Sequence, residues 1–245
     1  MSDEGSGVVI ARQLPQPWAD GNNTSYPIRG GRYREAYSVS VYPDFKASAD
    51  EGSFFTGTNP TFGTAVAGPN AAAFSATSAI LSLLNRAGAT GVRTYLTYLR
   101  LVLVTIPTAG TSLECAVTLD SIPRGSAGTP ITLATVNLDS ATPGPATTAL
   151  YNPTVAAASN GARNIARAKV KAATPVTGDE YLLIFGSVEM AGALIASATT
   201  AGRYLVPMPP VIIGPGNTQS ALVHLWSPGS SAAPTFEFEL GVIER

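Results

Sequence analysis

Proline is the residue that most narrows what this chain can become. Nineteen prolines and 24 glycines are spread through 245 residues, and most fall between short hydrophobic runs. Proline fixes φ and lacks the amide proton that a helix interior needs, so punctuation at this rate bars long helices. The runs themselves alternate with period two. Phe236, Phe238, Leu240 and Val242 interleave with Glu237, Glu239, Gly241 and Ile243, sending aromatics to one face and carboxylates to the other. Leu113, Cys115, Val117 and Leu119 interleave in the same way with Glu114, Ala116, Thr118 and Asp120.

Residues 95–106 are apolar on both faces apart from Arg100. This pattern predicts a central strand covered by a second sheet or by a neighbouring subunit. Further strands are expected over 36–42, 53–58, 79–85, 164–171, 181–187, 204–207 and 220–226. Loops rich in Gly, Pro and Ser are expected over 59–70, 121–130, 140–145, 214–217 and 227–234, with short helical turns around 43–49 and 69–74. About ten short strands parted by Gly/Pro turns describe an all-β fold, a β-sandwich or jelly roll. That domain is expected to span 36–245. Residues 1–35 read differently, with a polar start, an edge-strand triplet Val8-Val9-Ile10, and the extended polyproline stretch Leu14-Pro15-Gln16-Pro17-Trp18. Such a segment builds no core of its own and is expected to be an extended N-terminal arm draped over a partner subunit.

Charged residues make up 13 % of the chain, about half the share of ordinary soluble domains. A surface so poor in charge suits a protein packed into an assembly better than a freely diffusing enzyme. The net charge of −1 gives no global attraction to nucleic acid or to an anionic membrane, and neither is expected as a partner. The longest apolar run, 99–106, is broken by Arg100 and Thr105 and is too short to cross a bilayer as a helix. The first residues lack the basic and apolar regions of a secretory signal, and synthesis in a cytoplasm is expected.

Catalytic chemistry has few residues to work with. His224 is the one histidine and Cys115 the one cysteine. Any nucleophilic triad would need His224, which alternates with Leu222 and Trp226 as a structural residue of a strand would. Zinc sites need several His or Cys ligands, no calcium-loop spacing occurs, and Gly30-Gly31 lacks the setting of a nucleotide-binding loop. Glu237 and Glu239 would lie about 7 Å apart on one strand face, a spacing glycosidases use, but alternation already accounts for them as a solvent or interface side. Asp179-Glu180 reads as a turn before a strand. The expectation is a non-enzyme with no cofactor, no metal and no small-molecule substrate.

Two basic features stand out instead. Arg29, Arg32 and Arg34 interleave with Tyr26, Tyr33 and Tyr37, and Arg163, Arg167, Lys169 and Lys171 share one strand pattern, the last three on one side. Arginine outnumbers lysine by twelve to three. Arginine and tyrosine are the residues that interfaces favour, through forked hydrogen bonds and large buried area. Arg29, Arg32, Tyr33, Arg34 and Trp18 are therefore the candidate partner-binding residues.

Several segments together carry a likeness. They are Gly31-Arg32-Tyr33-Arg34-Glu35-Ala36-Tyr37, Ala49-Asp50-Glu51-Gly52-Ser53-Phe54-Phe55-Thr56-Gly57-Thr58-Asn59-Pro60-Thr61, Gly178-Asp179-Glu180-Tyr181, Pro209-Pro210-Val211-Ile212-Ile213-Gly214-Pro215-Gly216, and His224-Leu225-Trp226 leading to Phe236-Glu237-Phe238-Glu239-Leu240-Gly241-Val242-Ile243-Glu244-Arg245. From about Gly30 onward the chain resembles the virion structural proteins of tailed bacteriophages. The resemblance implies a jelly-roll capsid decoration (cement) protein, commonly a homotrimer, that bridges subunits of the major capsid protein on the virion surface. It implies synthesis in a host bacterial cytoplasm. The alternative it implies is a tail or head-fibre module that binds host surface glycans, with Trp18, Trp226 and the tyrosines as stacking platforms. It transfers no functional residue.

Overall fold

The structure, a computed structural model, describes residues 48–69, 72–88, 91–139, 144–186 and 200–245. The described strands are β1 (Phe54–Thr58), β2 (Val66–Ala67), β3 (Leu81–Asn85), β4 (Thr94–Thr105), β5 (Leu113–Asp120), β6 (Gly125–Ser126), β7 (Thr129–Ile131) and β8 (Ala134–Thr135). They continue as β9 (Thr147–Tyr151), β10 (Thr154–Val155), β11 (Arg163–Lys171), β12 (Glu180–Phe185), β13 (Arg203–Met208), β14 (Val211–Ile213), β15 (Ser220–Trp226) and β16 (Thr235–Glu244).

Two sheets face each other. The larger runs β13-β12-β4-β16-β1-β8, with β14 added to β4 and β2 to β16, and the smaller runs β11-β5-β15-β3-β9-β7. Eight strands carry the plan: β1, β3, β4, β5, β11, β12, β15 and β16. In chain order the first pairs with the eighth, the second with the seventh, the third with the sixth and the fourth with the fifth. The chain is thus one long hairpin rolled up, with alternate pairs falling in alternate sheets. That nesting is the jelly roll, and the expected all-β sandwich is what the described residues form.

The core lies between the sheets. Phe55, Leu99, Leu101, Leu103, Leu183, Phe236, Phe238, Leu240 and Val242 point inward from one side. Leu81, Leu83, Cys115, Val117, Tyr151, Ala221, Val223 and Leu225 meet them from the other. The rings of Tyr151 and Phe238 stack across the interface at 4.5 Å and 8°. Each such aliphatic or aromatic side chain contributes about 1.5–3 kcal/mol by leaving water, and period-two alternation guarantees that one face per strand supplies them.

The expected strands over 53–58, 79–85, 113–120, 164–171, 204–207 and 220–226 are present with small shifts in their ends, and 181–187 is β12 as far as it is described. The strand expected over 36–42 and the arm over 1–35 lie outside the described residues. Residues 48–50 are helical, the described end of the first helical turn, while the described residues 72–74 of the second are not helical. There Phe74 sets its ring edge against His224 and Trp226, at 5.2 Å and 5.6 Å between centroids, and the chain follows the sheet surface. The loops expected over 59–70 and 121–130 contain β2, β6 and the start of β7.

Of two expectations about faces, one is met on one side of its strand and the other is corrected. Residues 95–106 do form a central strand, flanked by β12 and β16, but the second sheet covers only its Leu99–Leu101–Leu103 side. On the other side Tyr98, Arg100 and Val102 are half-buried and Val104 is exposed. Arg167, Lys169 and Lys171 do not share a side either. Register shifts interrupt β11 between Asn164 and Ala166 and again between Lys169 and Lys171. The second turns Lys171 inward, leaving Arg163, Arg167 and Lys169 exposed.

Candidate functional site

The outer face of the larger sheet carries a polar network drawn from four adjacent strands. Arg100 on β4 donates from Nε to Glu180 Oε1 on β12 at 2.6 Å, and its Nη1 lies 3.5 Å from Glu239 Oε2 on β16. Arg203 on β13 donates to the other oxygen of Glu180 at 3.0 Å. Tyr98, two residues before Arg100 and so on the same face, donates its hydroxyl to Glu239 Oε1 at 2.5 Å. Register explains the gathering: Glu239 is the direct partner of Arg100, and Glu180 is the direct partner of Arg203.

Electrostatics follow from those contacts. The hydrogen bond from Arg100 holds the Glu180 carboxyl below its usual range against the opposing pull of burial, helped by the charges of Arg100 and Arg203. The same bond raises Arg100. Burial and then Glu239 push the Tyr98 hydroxyl well above the usual phenol range, so it stays a donor.

Beside this network lies a shallow groove of about 180 Å³, lined by Asn59, Phe62, Arg100, Val102, Glu237 and Glu239 among others. Phe62 stands 86 % exposed at its rim. Val104 and Ile106, at the end of β4 and just beyond it, are about two-fifths exposed (40 % and 42 %).

The residues with the most chemistry are shut away from water. Cys115 pairs in register with Leu225, and Ala116 with His224. Neighbouring residues of a strand point to opposite faces, so Cys115 and His224 sit on opposite sides of the smaller sheet. Both are buried. Burial pushes the Cys115 thiol up to about 12 and lowers His224 below its ordinary value. Nδ1 of His224 is 2.7 Å from the carbonyl of Ser78, so it is the protonated nitrogen, and Nε2 has no hydrogen-bond partner among the described residues.

Two further buried ion pairs form, Arg124 with Asp120 and Lys171 with Asp179, and of the four only Arg124 was not singled out from the sequence. Arg124 donates to the carbonyls of Ala76 and Ala156 and lies 3.5 Å from Asp120, both side chains fully enclosed. It thereby ties two loops to the outer face of the smaller sheet. Asp120 also accepts from the Ser159 hydroxyl and amide. Burial alone would raise Asp120, but these donors and Arg124 outweigh it and leave the carboxyl below its ordinary range. Lys171 donates to Asp179 at 2.7 Å, again with neither side chain reaching water. Asp179 does stand between a turn and a strand, as expected, and its carboxylate is buried there. It also accepts from Tyr181 and from the amides of Val176 and Gly202. Nothing in the sequence pairs these charges: Asp120 and Lys171 end strands with periodic patterns, whereas Arg124 is a lone charge in a loop rich in Gly, Pro and Ser.

Arg29, Arg32, Tyr33, Arg34 and Trp18 lie outside the described residues, so the structure brings none of them to this face. Trp226 is buried, its ring facing Phe74 and lying 5.8 Å from the Arg167 guanidinium carbon. Glu237 and Glu239 are on the outer face, as alternation requires. Among the described residues no group of three or more His, Cys, Asp or Glu is arranged to hold a metal, and no helix is long and apolar enough to cross a membrane. Set against known families, curated proteins and solved structures, the chain has no significant match in any of the three.

Proposed function

We propose that this chain is a structural subunit of a tailed-phage virion, a decoration protein that cements the capsid by bridging major capsid protein subunits. A fold does not choose a function, so the reading rests on what the fold does with its side chains. The observation that carries it is the distribution of chemistry between inside and outside. Cys115 is buried between the sheets and His224 on the outer side of the smaller sheet beneath Phe74 and Ser78, and Arg124 and Lys171 serve their own carboxylates. The outer face offers a mutually neutralised Arg–Glu–Tyr network flanked by exposed Phe62, Val104 and Ile106. A polar network bordering apolar residues is the anatomy of an interface. The low charge of the chain points the same way.

In this reading each copy uses its sandwich as a rigid body, associates with two sister copies, and grips the capsid at several points. Later contacts are nearly intramolecular, so many weak ones add up to a firm cement. The glycan-binding alternative loses Trp226 as a sugar platform, because its ring is packed away. The test is a stained gel of purified particles, with the band quantified against the major capsid protein. Hundreds of copies per particle are the expected result. Absence of the chain from particles, or a few copies only, sinks the proposal.

A further inference from the structure

The groove beside Phe62 has a ligand chemistry of its own. Phe62 is not exposed because its loop is slack. Asn59 braces that loop from both sides, donating to the Thr64 carbonyl at 2.8 Å and accepting from the Phe238 amide at 2.5 Å. The Thr64 amide closes a turn onto Thr61 at 3.2 Å, with Gly63 in the left-handed region at φ 74°, where a side chain would be strained. A braced turn thus holds an aromatic ring out in water, which gains nothing from the described residues.

Across the groove, charge is left over. The outer-face network and groove hold three carboxylates, Glu180, Glu237 and Glu239, against two guanidinium groups, Arg100 and Arg203. Glu180 and Glu239 are taken up by the arginines and Tyr98. Glu237 has no ion-pair or hydrogen-bond partner among the described residues.

An open ring beside one unmatched carboxylate complements a guanidinium. That group stacks flat on an aromatic face while its fork bonds a carboxylate through two N–H groups. We propose that the groove receives an arginine side chain of a partner protein, stacked on Phe62 and forked to Glu237. This deepens the reading of the chain as a docking subunit by naming the chemistry its partner must present. A lysine ammonium would match the charge but not the fork. A neutral sugar would use the ring and leave the carboxylate unmatched.

The test uses the full-length chain with ¹³C-labelled phenylalanine and valine, titrated in parallel with the peptides acetyl-Gly-Arg-Gly-amide and acetyl-Gly-Lys-Gly-amide and with lactose. The arginine peptide should shift the Phe62 ring and the Val102 methyls saturably. The lysine peptide should bind more weakly by about fivefold, the worth of one exposed cation–π or ion-pair contact. Glu237→Gln should weaken the arginine peptide by a similar factor, and Phe62→Leu, followed at Val102, should do the same while keeping the loop apolar. Equal response to both peptides, indifference to Glu237→Gln, or a ring that answers only lactose each overturns the proposal. An arginine-selective groove on a chain missing from particles leaves this inference standing and sinks the virion reading. A chain abundant on particles whose groove ignores the arginine peptide does the reverse.

Discussion

Nζ of Lys171 and Oδ2 of Asp179 meet at 2.7 Å where no water reaches either side chain. The pair joins the end of edge strand β11 to the start of β12, so it links the two sheets at one side of the sandwich. The Lys171 ammonium also lies 5.2 Å from the centre of the Tyr204 ring. Lys171→Met removes the cation and leaves a buried carboxylate with three other donors, whereas Asp179→Ala strands a buried ammonium and orphans two backbone amides and the Tyr181 hydroxyl. Breaking a buried pair costs about 3–5 kcal/mol. Asp179→Ala is expected at or beyond the top of that range and Lys171→Met below it, measured by urea unfolding at neutral pH. Equal, small losses would show that the pair is not holding the sheets.

Stability should fall in two stages on acidification. The folded-state pKa of His224 is depressed, because burial disfavours the cation. The unfolded chain therefore takes up a proton first, near the ordinary value of 6.5, and stability declines as pH falls through that value until the native imidazole also titrates. The second stage belongs to Asp120 and Glu180, whose folded-state values are lowered. Their contribution is present above about pH 4–5 and is lost below it, as the unfolded carboxylates protonate first. Thermal melts from pH 8 to 3 should show both declines, and His224→Gln should remove only the upper one.

Cys115 should be inert while the protein is folded. Its thiol is enclosed and its pKa is pushed up to about 12, so the reactive thiolate is scarce at neutral pH. Ellman's reagent should titrate no thiol in native protein and one per chain in strong denaturant. Rapid modification of the native protein would contradict the placement of Cys115 in the core.

Gly241 tests the outer face from beneath. It lies where β16 shifts register against β4, and a Cβ there would run into the Tyr98 ring. Gly241→Ala should displace that ring and its bond to Glu239 at a cost of about 1–3 kcal/mol, as overpacking does. Gly144, where a Cβ would meet nothing, is the control, and its alanine variant should stay within about 0.5 kcal/mol of the parent.

The assembly reading makes a prediction at the end of β4. Sedimentation at micromolar concentration should give a trimer, and Val104→Asp, which puts a charge among exposed apolar residues, should shift it toward monomer without lowering the melting temperature. A monomer at every concentration, with and without the substitution, would remove the homotrimer from the proposal.

The fold was legible wherever a strand had one face in the core. Phe236 to Val242 and Leu113 to Leu119 advertise themselves because burying every second residue writes period two into the sequence. β9 did not, since Thr147-Thr148-Ala149-Leu150-Tyr151 has too few large apolar residues, and only pairing with β3 and β7 makes it a strand. Lys171 was misplaced because a bulge inserts one residue and reverses every later side chain, and nothing in Ala168-Lys169-Val170-Lys171 announces one. The outer-face network was half legible: alternation put Glu237 and Glu239 outside, but the meeting of Arg100 with Glu180 is a matter of register between strands 80 positions apart. Phe62, in a stretch read only as a loop, had no signal beyond being an aromatic among turn residues.

The interruptions in β11 bear on how copies of this chain can meet. A smooth free edge invites another strand to zip onto it through the main chain, without limit and without selectivity. Here two register breaks kink that border, and Arg163, Arg167 and Lys169 stand out from it. Growth of the smaller sheet by strand addition is thereby frustrated at β11, and a neighbour is left to dock through side chains on the faces. Such docking saturates once the matching surfaces are covered, whereas an open border would go on recruiting strands.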